Sequence, residues 1–80
     1  MNTQAFVLVE TSVGRTKEVL AALKQVRDVT SVDAVTGPYD LIAVVQVKDL
    51  NAVGEAVTSR IHTIPGIART VTCLAVSLPG

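Results

Sequence analysis

The sequence predicts a single α+β domain over residues 1–80, made of two βαβ units in tandem, and two observations predict it. The first is an internal repeat. A shift of 38 positions, from residue 7 to residue 45, places Val7 on Val45, Val9 on Val47, Val19 on Val57, Leu23 on Ile61, Val26 on Ile64 and Val29 on Ile67. The second is that each half changes its apolar period in the same order, from the two-residue alternation of a strand to helical spacing and back.

In the first half, residues 5–10 are a short run of β-formers. Residues 12–14 make a turn with capping chemistry, and Val19, Leu20, Leu23 and Val26 then recur as the apolar stripe of a helix. A second strand falls near residues 31–36, where Val32 alternates with polar neighbours. The second half opens with DLIAVVQV, apolar at consecutive positions and so suited to a strand covered on both faces. Asp49 is a good N-cap, and Leu50, Val53, Val57, Ile61 and Ile64 form one stripe of the second helix. Pro65-Gly66 stops that helix, and residues 67–78 alternate as the last strand.

The order βαββαβ is the ferredoxin-like layout: a four-stranded antiparallel sheet with both helices on one face. Leu41, Ala43, Val45 and Val47 can face those helices, but Ile42 and Val44 then point the other way, as do Phe6 and Leu8 beside Val7 and Val9. Burying such a face removes apolar area from water at roughly 25 cal/mol per Å². The pattern therefore predicts an obligate dimer whose two sheets pack as in a dimeric α/β barrel.

Composition excludes several classes of function. The chain is 49% hydrophobic, with its single Tyr and single Phe as the only aromatic residues. Seven basic residues balance seven acidic ones, and the basic residues are scattered, so the chain is poorly equipped to bind nucleic acid directly. The longest apolar run, residues 41–45, is too short to span a membrane. The start MNTQAFVLV lacks the features of a signal peptide, and a cytoplasmic location is expected. Cys73 is alone, forms no internal disulfide and is expected to be a small buried hydrophobe. His62, near the end of the second helix, suits the helix dipole. The carboxylates show no paired spacing, the glycines form no phosphate-binding motif, and no metal-ligand spacing occurs. No catalytic residue, metal or cofactor is expected.

One stretch asks for more than a fold. Between the second and third strands, Gly37-Pro38-Tyr39-Asp40 stands where a two-residue turn would serve. Gly37 can take a positive φ, and Pro38 stiffens the entry to the third strand. Two readings of Asp40 stay open: a carboxylate that receives an ammonium group while loop N–H groups receive a carboxylate, or a carboxylate that bonds to local backbone N–H groups.

VTGPYDLIAVVQV, preceded by VRDVTSVDAV and followed by IPGIARTVTCLAVSL, resembles the effector-binding (RAM) domain of Lrp/AsnC transcription regulators over essentially the whole chain. The resemblance rests on Gly37, Tyr39 and Asp40, then on Pro65-Gly66-Ile67 and Arg69-Thr70-Val71-Thr72. It implies a dimer assembling into octamers or similar rings, with free amino acids bound in clefts between dimers. It implies that Gly37, Tyr39 and Asp40 surround the ligand, Asp40 taking the α-ammonium, while Thr70 and Thr72 supply hydroxyls. The chain begins at the first strand, which implies a stand-alone member without the helix-turn-helix domain, able to mix with full-length relatives. The expected function is amino-acid sensing and oligomerisation. The alternatives are a purely structural oligomerisation module, or a small dimeric α+β-barrel enzyme, for which the few ring-bearing side chains offer little to line a pocket.

Overall fold

The structure, a computed structural model, describes residues 2–79. The elements follow the order β1 (Thr3–Thr11), α1 (Thr16–Lys24), β2 (Val29–Ala34), β3 (Leu41–Val47), α2 (Leu50–Ala56) with a π-helical turn (Val57–Ile61), and β4 (Ile67–Leu74). The four strands form one antiparallel sheet in the order β2-β3-β1-β4. The fold is ferredoxin-like, as the repeat predicts.

The two-residue alternation sorts the strand residues by face. Ala5, Val7 and Val9 of β1 and Leu41, Ala43 and Val45 of β3 are fully buried. They meet Val19 and Leu23 of α1 and Val53, Ala56, Val57 and Ile61 of the second helical segment. The intervening residues Phe6, Leu8, Ile42 and Val44 point to the opposite face, where Val71 and Cys73 of β4 pair with Leu8 and Phe6. Among the described residues, no second layer covers that face, and Phe6 and Val71 are both more than a third exposed.

Several local expectations are corrected. Cys73 is exposed in the single chain, because β4 turns it to the uncovered face. β4 ends at Leu74 rather than at residue 78: Leu74 already pairs with Ala5, so β1 has little ladder left to offer. One further bond, Ala75 N–H to the Gln4 carbonyl at 2.9 Å, closes the pairing. The turn before α1 supplies no side-chain cap, and it reverses through Gly14 at φ 78°.

Asp49 caps α2 as expected, its carboxylate accepting the Ala52 N–H at 2.8 Å. The predicted stripe then divides. Val53, Val57 and Ile61 are buried, whereas Leu50 is 60% exposed at the first turn and Ile64 lies beyond the helix. The helix stops at Ile61, ahead of Pro65, through the π turn, whose wide ring is closed by the His62 N–H and the Val57 carbonyl at 2.8 Å. Thr58 and Thr63 hydroxyls donate back to the Gly54 and Ser59 carbonyls at 2.8 and 3.2 Å, competing with regular helix bonds around that turn. Among the described residues, no helix is long and apolar enough to cross a membrane, and no group of three His, Cys, Asp or Glu could hold a metal ion.

Candidate functional site

The Gly37–Asp40 loop is anchored at its base by backbone and side chain together. The Val35 N–H donates to the Asp40 carbonyl at 3.0 Å, and the Asp40 N–H donates to the Val9 carbonyl at 2.9 Å. The carboxylate finishes the anchor. Asp40 Oδ2 accepts from the Thr11 N–H at 2.8 Å and from the Thr11 hydroxyl at 3.1 Å, and that hydroxyl also lies 2.7 Å from the Thr16 hydroxyl. Of the two readings of Asp40, the bond to backbone N–H is thus present, and both of these contacts use a single carboxylate oxygen. Gly37 sits at φ 149° with open space where a Cβ would be, so the left-handed backbone itself is what calls for glycine.

Beneath the loop, on the uncovered face of the sheet, lies a hollow of about 450 Å³. Gly37, Pro38, Tyr39 and Val35 form its upper wall and Leu8 and Ile42 its floor. Tyr39 is held at the rim by Arg69, a motif residue to which the sequence alone assigns no role. Arg69 Nη2 donates to the Tyr39 hydroxyl at 3.3 Å, its guanidinium carbon lies 5.7 Å from the ring centroid, and its Nε lies 3.5 Å from Glu10 Oε1. Register is the signal that could have found this contact: Arg69 pairs with Glu10 across β1 and β4, at the same end of the sheet as the loop.

The threonines lie on the other side. Thr70 and Thr72 pair with Val9 and Val7, so both face the helices. Thr70 Oγ1 is 2.5 Å from His62 Nε2. Thr72 lines a separate groove between α2 and β4, with Leu50, Val53 and Leu74. Within one chain, then, Gly37 and Tyr39 share a hollow on the face away from Thr70 and Thr72, and Asp40 anchors their loop.

The chain thus carries a Gly-Pro-Tyr-Asp loop over a hollow on the uncovered apolar face of a βαββαβ sheet. The chain belongs to the Lrp/AsnC ligand-binding domain family, which it matches over residues 4–79. Among solved structures it is similar to TTHA0845 from Thermus thermophilus, with 36% identity over 98% of both chains and a TM-score of 0.90. It shares its fold with Escherichia coli AsnC, at 24% identity over 96% of this chain and 52% of that one, with a TM-score of 0.89. The same holds for the Neisseria meningitidis transcriptional regulator NMB0573, solved as its complex with L-Met, at 22% identity over 94% and 50% of the two chains and a TM-score of 0.84. The chain spans about half the length of each of those two regulators. No functionally curated protein gives a significant sequence match.

Proposed function

We propose that this chain is an amino-acid-binding and oligomerisation module of the Lrp/AsnC type. The observation that carries the proposal is the rigid loop over an apolar hollow: main-chain bonds at both ends and the Asp40–Thr11 contacts hold Gly37–Asp40 in place before any ligand arrives. Preorganisation of this kind lowers the ordering cost of binding, and an apolar pocket with a few placed polar groups is the usual form of a small-molecule site. Loop N–H groups receive the α-carboxylate, the carboxylate oxygen of Asp40 not bonded to Thr11 receives the α-ammonium, and apolar side chains of the ligand face the hollow.

The separation of the Gly37–Tyr39 hollow from Thr70 and Thr72 supports a cleft completed between copies, with the threonine hydroxyls supplied by a neighbouring chain. Two chains pair through the part of the uncovered sheet face that lies beyond the hollow, where Phe6, Val44 and Cys73 lie side by side, and dimers associate further into rings, alone or with full-length relatives. By this reading the role is binding rather than catalysis, in keeping with a family defined by its ligand-binding domain. By this reading the protein works in the cytoplasm, on free amino acids.

A thermal-shift series against the twenty amino acids tests the proposal, with light scattering on any that act. Ligand that binds the native state must raise the melting temperature as its concentration rises. A selective rise that is reduced in Asp40→Asn supports the sensor. Stable assemblies with no rise at millimolar amino acid would leave a purely structural module.

A further inference from the structure

The end of the sheet away from the loop gathers charge that the effector reading does not use. Three of the chain's seven Lys and Arg residues line one hollow of about 350 Å³: Arg27 from the α1–β2 turn, Lys48 from the β3–α2 turn and Arg60 from the π turn. They converge there because β3 ends beside the start of β2 and the Arg60 side chain reaches Asp28 from the second helical segment. The Gln46 N–H, donating to the Asp28 carbonyl at 3.0 Å, ties the α1–β2 turn to the end of β3.

The charges are unevenly matched. Arg60 Nη1 bonds Asp28 Oδ2 at 2.5 Å, and the Asp28 side chain is only 17% exposed, so this pair fixes the guanidinium at the wall of the hollow. Among the described residues, neither Arg27 nor Lys48 has a carboxylate within ion-pair distance. Glu55 also lines the hollow, and Val47 adds an apolar patch. With Asp28 spent on Arg60, two cations face one carboxylate.

We infer that this hollow is a second ligand site, for a small phosphate-bearing molecule. A phosphomonoester carries nearly two negative charges and several strong acceptor oxygens, which suit one guanidinium and one ammonium free of protein partners together with the remaining N–H groups of a fixed Arg60. The volume lies in the range of small-ligand pockets, and the Val47 patch accommodates the organic part. Glu55 disfavours a ligand that is anionic throughout and accepts from hydroxyl groups such as those of a sugar. The site lies roughly 20 Å from the Gly37–Asp40 loop, the length of seven-residue β3 at about 3.3 Å per residue. It also belongs to the helix side of the sheet, so pairing of the uncovered faces leaves it open.

The test is titration calorimetry of the full chain with inorganic phosphate, ribose 5-phosphate and AMP, with adenosine and sodium sulfate as controls, all at one ionic strength. Saturable binding of ribose 5-phosphate or AMP, absent with adenosine and sulfate, is expected. Arg27→Ala and Lys48→Ala should each weaken it about ten-fold, and Lys48→Arg should retain it. Both side chains are exposed, so unchanged melting temperatures without ligand establish that these variants are folded. Asp40→Asn, which keeps an acceptor for Thr11 while lowering effector binding, should leave phosphate-ester binding intact, which separates the site from the loop. Inorganic phosphate binding as tightly as the esters would place the source in free phosphate and overturn the organic ligand. Equal heats with sulfate, or undiminished affinity in Lys48→Ala, would overturn the site.

Discussion

Asp40 holds Thr11 with one oxygen and two hydrogen bonds, joining the loop before β3 to the last residue of β1. The carboxylate is thereby part of the fold before it is part of any site. Asp40→Ala strands the Thr11 N–H in a partly buried position and should cost about 1–3 kcal/mol. Asp40→Asn, which keeps an oxygen acceptor, should recover most of that loss. Urea denaturation of the three proteins measures this, and a variant as stable as the parent would show that the bonds contribute nothing. Effector binding should fall in Asp40→Asn as well, since the amide no longer attracts an ammonium group.

Gly66 and Gly54 should respond to alanine with opposite signs. Gly66 lies at φ 100°, and a Cβ there would come within 3.0 Å of both Arg15 Cβ and Val19 Cγ2. Strain and crowding together should cost about 1–3 kcal/mol. Gly54 lies inside α2 with open space where an alanine methyl would sit, so Gly54→Ala should stabilise by about 0.5–1 kcal/mol. For a domain of this size each kcal/mol moves the melting temperature by roughly 4–8 °C, so two melting curves against the parent decide both signs.

Ile61 and Leu50 separate the buried from the exposed part of the predicted helix stripe. Ile61 is fully buried, and Ile61→Ala should cost about 2–5 kcal/mol. Leu50 is 60% exposed, and Leu50→Ala should change stability by less than about 0.5 kcal/mol. Chemical denaturation of both variants checks the contrast.

Cys73 reports on the uncovered sheet face, where it pairs with Phe6. In the proposed dimer its thiol should react slowly with a disulfide reagent such as DTNB. Phe6→Arg, which places a charge on that face, should yield monomers by light scattering and expose the thiol to rapid reaction. Fast labelling of the parent at a concentration where it is dimeric would place the interface elsewhere.

Strands and helices are legible in the sequence wherever burial follows local period. Val19 and Leu23 announce their buried helix face by spacing, and Val7 with Val9 and Leu41 with Val45 are grouped by spacing on one face of the sheet. Leu50 breaks the pattern because spacing does not reveal where a helix begins to overhang its sheet. The site is legible only as a loop. Gly37 and Asp40 mark themselves by turn chemistry, but the contact of Tyr39 with Arg69 depends on strand register, and the hollow of Arg27, Lys48 and Arg60 depends on three connections meeting at one end. Cys73 defeats the same reasoning because alternation tells two faces apart without saying which one the helices cover.

The strand order carries a consequence for how such a chain can come into being. β1 and β2 belong to the first repeat and β3 and β4 to the second, yet β3 stands between β1 and β2, and β1 stands between β3 and β4. Neither half owns a single pair of adjacent strands. During synthesis β1 must therefore wait, unpaired, until the second half has emerged from the ribosome, and no folded intermediate confined to the first repeat can shelter it. An ancestral single βαβ unit would have met the same difficulty, and two separate copies interleaving their strands could have resolved it before fusion joined them into one chain.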